Sequence, residues 1–120
     1  MKVLLVLGHG SRTIEAQNIF NRLVDLIREK SDFEIVKGCS MENSTPTFEE
    51  AVEELVESGH HHIVLAPLFI YRGVHIQEDI PNTILELKKK YPNLEFHMTD
   101  VIGADDRIAE IMIDRIRDSF

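Results

Sequence analysis

The chain has a single cysteine, Cys39, so no internal disulfide can form, which fits a reducing cytoplasm. It has no apolar run able to cross a bilayer. The longest, Val3 to Leu7, falls far short of the roughly 20 residues a spanning helix needs. Met1-Lys2 leads straight into that run without a basic segment and cleavage site, so neither a secretory leader nor a membrane partner is expected. Basic residues are scarce: 13 Lys and Arg stand against 21 Asp and Glu, a net charge of −8. Such a surface repels nucleic acid, and Lys88-Lys89-Lys90 reads as a solvated helix C-terminus favoured by the macrodipole. Three motifs are missing as well. There is no Gly-x-Ser-x-Gly elbow, so Ser11 is a poor nucleophile. Gly8-x-Gly10 lacks the third glycine of a dinucleotide fingerprint, since Thr13 stands in its place, and no Walker loop exists, so no nucleotide is expected.

What is present is an alternation of strand and helix over residues 1–120, read as one domain with 43% hydrophobic residues and no low-complexity linker. Strands are expected over about 2–7, 33–38, 62–68 and 94–99. The first helix, about 13–30, carries Ala16, Ile19, Phe20, Leu23, Val24 and Ile27 at helical spacing. The second carries Phe48, Ala51, Val52, Leu55 and Val56 and ends at Gly59. It opens either with Thr45 as cap and Pro46 at the first helical position, or with Thr47 and Glu50 as a capping box. A third covers about 79–91 with Ile80, Ile84 and Leu87 inward, and a last one, capped by Asp105 or Asp106, shows Ile108, Ile111, Met112 and Ile116. The pattern predicts an α/β fold: a four-stranded parallel sheet with right-handed crossovers and helices on both faces.

Two histidines then stand out. His9 lies in Gly8-His9-Gly10-Ser11-Arg12 after the first strand, and His75 in Tyr71-Arg72-Gly73-Val74-His75 after the third. If those strands are parallel neighbours, both loops sit at the carboxyl edge of the sheet, where open α/β sheets hold ligands. One loop histidine is commonly a surface residue; two at separate strand ends, both near glycine, point to a site. Glu42, from the loop after the second strand, adds a carboxylate. Two imidazoles and a carboxylate suit a borderline first-row metal, although a lone loop acid is often only solvated. His60-His61-His62 is set apart. It falls at the amino end of the sheet, and consecutive residues entering a strand point to opposite faces. His97 falls within a strand.

Leu7-Gly8-His9-Gly10-Ser11-Arg12, Met41-Glu42-x-x-x-Pro46, Pro67-Leu68-Phe69-x-x-x-Gly73-x-His75-x-x-x-Asp79-Ile80-Pro81 and Ile102-Gly103-Ala104-Asp105-Asp106-Arg107 together resemble the small CbiX-type sirohydrochlorin chelatases. The resemblance covers essentially the whole chain and implies a chelatase-like, half-flavodoxin-like fold. It implies a lyase that inserts Co²⁺ or Ni²⁺ into sirohydrochlorin without ATP, for cobalamin or for coenzyme F430 and methanogenesis. It casts His9 as proton acceptor and metal ligand, and His75 as second ligand. The tetrapyrrole would meet Thr45 and the stretch Ile70, Tyr71, Arg72, Gly73, Val74 and His75, with Ser11, Arg12 and helix N-termini drawing in its carboxylates. A homodimer is implied too, because one four-stranded lobe offers a flat macrocycle little cover. Two departures are visible. Thr45 stands where relatives can carry an acid, and Lys88 to Asn93 replaces a histidine-rich insertion of some archaeal members. A Fe²⁺ chelatase for sirohaem and a non-catalytic metal or tetrapyrrole carrier are the competing readings.

Overall fold

A computed structural model describes residues 2–120, apart from the side chain of His75. Its elements run β1 (Lys2–Gly8), α1 (Ile14–Lys30), β2 (Val36–Ser40), α2 (Phe48–Glu57), β3 (His62–Pro67), a π-helical turn (His75–Asp79), α3 (Ile80–Lys90), β4 (Glu95–Met98) and α4 (Asp106–Asp118). All pairings are parallel and the sheet order is β2-β1-β3-β4.

Local chemistry sets the helix starts. The Thr13 hydroxyl accepts from Ala16 N and caps α1. At α2 the capping box is the one that forms: Glu50 N donates to Thr47 Oγ1 at 3.3 Å and Thr47 N to Glu50 Oε1 at 2.9 Å. That second bond holds the Glu50 carboxyl below its ordinary range. Asp105 caps α4 by accepting from Arg107 N.

The sheet is buried on both sides because strand residues alternate between two apolar clusters. Val3, Leu5, Leu7, Ile63 and Leu65 pack under α2 and α3; Leu4, Val6, Val36 and Val64 pack under α1. β2 begins three residues later than its hydrophobicity suggests. Pairing starts at Leu4 against Val36 and runs to Gly8 against Ser40, leaving Phe33 to pack from the connection. The largest departure is α4. It forms where expected, yet none of its residues is buried, and its apolar residues Ile111, Met112 and Ile116 are exposed. Ile19 and Leu23 of α1 are also on the surface.

Candidate active site at the carboxyl edge of β1 and β3

The connection from β1 passes through α1 to β2 on one side of it. The next connection crosses to β3 on its other side. The crossover therefore reverses direction between β1 and β3, and their carboxyl ends flank the crevice where such sheets hold ligands. Leu7 pairs with Pro67 at that edge. His9 leaves β1 there, and the loop from Leu68 leads to the backbone of His75, which opens the π-helical turn. The condition placed on the two strands is met.

The His9 side chain is exposed, and its ring lies 4.9 Å from that of Phe69, tilted by 33°. The β1 loop is fastened to the β2 loop: Met41 N donates to the Gly8 carbonyl at 3.0 Å and Glu42 N to that of His9 at 3.2 Å. Gly10 makes this approach possible. Its φ is +93°, and a Cβ there would fall 1.7 Å from the Glu42 carbonyl oxygen.

Ser11 and Ser44 lock the same loops together. Ser11 N donates to Ser44 Oγ at 2.8 Å, and that hydroxyl donates to the Ser11 carbonyl at 2.6 Å. Ser11 Oγ also accepts from Thr13 N. A hydroxyl so used builds the loop; nothing here activates it as a nucleophile. A cavity of about 370 Å³ opens beside them, lined by His9, Ser11, Ser44 and Thr45 among others. Its walls are mixed polar and apolar.

On the β3 side, Ile70, Tyr71 and Val74 are exposed apolar or aromatic side chains in one loop at the ligand edge. Exposed groups of that kind beside a crevice suit a flat apolar ring. The two arginines differ. Arg72 is paired with Asp100, Nε at 3.1 Å and Nη2 at 2.6 Å from the same Oδ1, whereas Arg12 donates through Nε to the neutral amide of Asn43. The guanidinium of Arg12 thus has a neutral partner in that bond, and that of Arg72 a charged one.

Glu42 is exposed and does not line the cavity. Among the described residues no three His, Cys, Asp or Glu side chains converge as a metal site, and the His75 side chain lies outside that description. His62 begins β3 opposite Glu95, with Nδ1 at 3.6 Å from Oε2, at the amino edge and so remote from His9. Asp100 is the residue that motif reading missed. It lies in the connection after β4, and only the folded chain brings it to Arg72.

The fold and this edge define an α/β protein with its ligand crevice at a β1/β3 switch point. The chain belongs to the CbiX family, whose model matches residues 3–119. It is 33% identical over 140 residues to the sirohydrochlorin cobaltochelatase of Methanopyrus kandleri, covering 99% of this chain and 97% of that one. It is 29% identical to the sirohydrochlorin ferrochelatase of Priestia megaterium, covering 99% of this chain and 45% of the other. The sirohydrochlorin chelatase SirB of Bacillus subtilis subspecies spizizenii, solved in complex with cobalt, superposes with a TM-score of 0.90 at 26% identity, covering 98% of this chain and 50% of SirB. The chain thus spans nearly all of the archaeal relative and about half of each bacterial one.

Proposed function

We propose that this protein inserts Co²⁺ into sirohydrochlorin without a nucleotide, as a chelatase of cobalamin biosynthesis. One observation supports the reading: His9 and the loop that leads to the His75 backbone leave the adjacent ends of β1 and β3 at the switch point, in a chain that aligns end to end with an archaeal cobaltochelatase. The supporting chemistry is simple. Metallation replaces two pyrrole N–H protons by a dication, so it needs a base and a held metal on one face of the ring. His9 and His75, with Glu42 assisting, hold the incoming metal; as it passes to the ring, the freed neutral His9 accepts one pyrrole proton and solvent water takes the other. Four nitrogen–metal bonds drive the step, so no ATP is required.

Thr45, Ile70, Tyr71, Gly73 and Val74 then grip the macrocycle, while Arg12 and the loop N–H groups meet its carboxylates. Ni²⁺, for coenzyme F430, is the second metal in this proposal, since the Irving–Williams order places it above Co²⁺ for nitrogen ligands. Iron is favoured by a separate observation, the 29% identity to a ferrochelatase. The chain works as a homodimer in the cytoplasm on this reading. Its length supports the dimer, because two copies match the extent of one bacterial relative.

The test is turnover of sirohydrochlorin with Co²⁺, Ni²⁺ or Fe²⁺ in competition, followed by the pigment's absorbance. Accelerated multiple turnover with Co²⁺, lost in both His9→Ala and His75→Ala, is expected. Stoichiometric binding without turnover would make the protein a carrier, and a clear preference for Fe²⁺ would make it a sirohaem enzyme.

A further inference from the structure

The π-helical turn His75–Asp79 and α3 form one continuous helix, because Asp79 at their junction has helical φ −66° and ψ −45°. Pro81 is the second residue of α3. It therefore stands inside the longer helix, away from the first turn where proline is well tolerated. In a helix interior a proline offers no N–H to the carbonyl four residues back, and its ring collides with that carbonyl. Here the carbonyl belongs to Gln77, the middle residue of the π turn. A π turn carries one residue more than an α turn, which moves the Gln77 carbonyl aside and relieves the collision. Pro81 thus accounts for the π turn that precedes it.

The extra residue displaces what comes before it. α3 is fixed to the core, since Ile80 and Leu87 are buried and Ile84 packs against the same cluster. Relative to that frame, one residue is worth about 100° around the axis and about 1.5 Å along it. On a Cα radius of about 2.3 Å, that rotation moves the backbone of residue 75 by about 3.5 Å. In an uninterrupted α-helix, Ile76 would take the place that residue 75 has here. The slip could not spread far upstream. Phe69 and Ile70 are anchored through carbonyls that accept from Ile102 N at 2.8 Å and Gly103 N at 3.0 Å. Gln77 N donates to the Gly73 carbonyl at 3.2 Å, so the turn is also tied to the exposed loop. A change of register would therefore fall on residues 71–76.

We infer that Pro81 is a positioning residue for metallation: it holds the turn in the π register, and that register sets where residue 75 stands at the ligand edge. The inference rests on the ligand role proposed above for His75, whereas the register stands on the backbone alone. Magnitude decides its importance. A misplacement of about 1 Å can cost about 10²-fold in rate, and loss of the π register moves residue 75 by more than that. Pro81 itself touches neither metal nor ring on this reading. It acts through the backbone, six residues on from the group it places.

Pro81→Ala tests register and site together. Alanine suits a helix interior far better than proline, so the variant should fold and melt at or above the wild-type temperature. NMR couplings across hydrogen bonds should show the new amide at position 81 bonded to the Gln77 carbonyl, which is the α register. Co²⁺ affinity of the protein alone, by calorimetry, should fall about tenfold or more, and kcat for sirohydrochlorin metallation about 10²-fold. Glu78 is exposed within the turn. Deleting it from Pro81→Ala removes the extra residue and returns position 75 to its place within an α register, so most of both losses should be restored. A proline with a merely structural role predicts no such rescue, since a deletion would add damage. A π turn that persists in Pro81→Ala, or an α register with affinity and rate unchanged, would overturn the inference and leave the chelatase reading standing. Losses that the deletion does not restore would overturn it as well. If the wild type binds Co²⁺ but turns over no sirohydrochlorin, the chelatase reading fails, and the same pattern in Co²⁺ affinity alone supports or overturns the positioning.

Discussion

Asp100 holds Arg72 through a single oxygen. Oδ1 accepts from Arg72 Nε at 3.1 Å and Nη2 at 2.6 Å, and also from Val101 N at 2.8 Å. These bonds, the guanidinium first, keep the Asp100 carboxyl below its ordinary range. The pair ties the exposed loop after β3 to the connection after β4. Asp100→Asn should loosen that loop and raise KM for sirohydrochlorin roughly twofold to fivefold with little change in kcat, as suits an exposed ion pair. The sign with pH follows. A lowered carboxyl stabilises the fold above its unfolded pKa and loses that contribution as pH falls through the folded one. The melting temperature of the wild type should therefore decline as acid is added through the carboxylate range and below it, and part of this decline should vanish in the variant. An unchanged KM would remove Asp100 from substrate positioning.

Gly10→Ala should damage both stability and the site. The new Cβ would fall 1.7 Å from the Glu42 carbonyl oxygen at a φ of +93°, so the β1 and β2 loops must part. Strained backbone of this kind costs about 1–3 kcal/mol. Thermal melting should drop by several degrees, and metallation should fall further than the stability change alone accounts for, because His9 is the preceding residue. Gly59 is the control. It also has positive φ, 88°, but open space around it, and it lies at the far edge, so Gly59→Asn should melt near wild type with full activity.

Much of this arrangement is legible in the residues. Leu5 and Leu65 sit in continuous apolar runs, so parallel strands buried on both faces follow from periodicity and length. Gly8-His9-Gly10 after the first run marks the ligand edge. Two matters are not legible. Ile111 and Met112 recur at helical spacing, which predicts an apolar face but cannot say whose surface it meets. The helix forms and its burial does not follow, because the connection is pinned by Phe69 and Ile70 carbonyls that no pattern reveals. Asp100 is equally silent in sequence, since 28 residues separate it from Arg72.

Cys39 offers a probe of opening. Burial pushes its thiol up to about 12 from 9.0, because the thiolate would lose its solvation in the apolar layer under α2. Iodoacetamide should leave it unmodified in the folded protein at pH 8 and label it completely in denaturant, read by intact mass. The raised value also implies that the fold loses stability as pH climbs from about 9 to about 12, and Cys39→Ala should flatten that part of the profile. Rapid labelling of the native protein would contradict the burial.

Phe69 and His9 provide the sharpest separation of structure from chemistry. Their rings stand 4.9 Å apart, while the Phe69 backbone carbonyl independently receives Ile102 N at 2.8 Å. Phe69→Ala therefore removes the ring beside the imidazole without releasing the connection. On the proposed mechanism His9→Ala removes the base and should cost about 10²–10⁴ in kcat, the range for a positioned general base. Phe69→Ala should cost less, because the imidazole remains and only its neighbour is lost. Added free imidazole distinguishes the two: it should restore part of the activity of His9→Ala in proportion to its neutral form, and none to Phe69→Ala. Restoration should rise with pH through the titration of free imidazole, since only the unprotonated ring accepts a proton. Initial rates of sirohydrochlorin absorbance change with Co²⁺, corrected for imidazole's own binding of the metal, give the readout. His9→Ala running at the wild-type rate would end the role assigned to this residue.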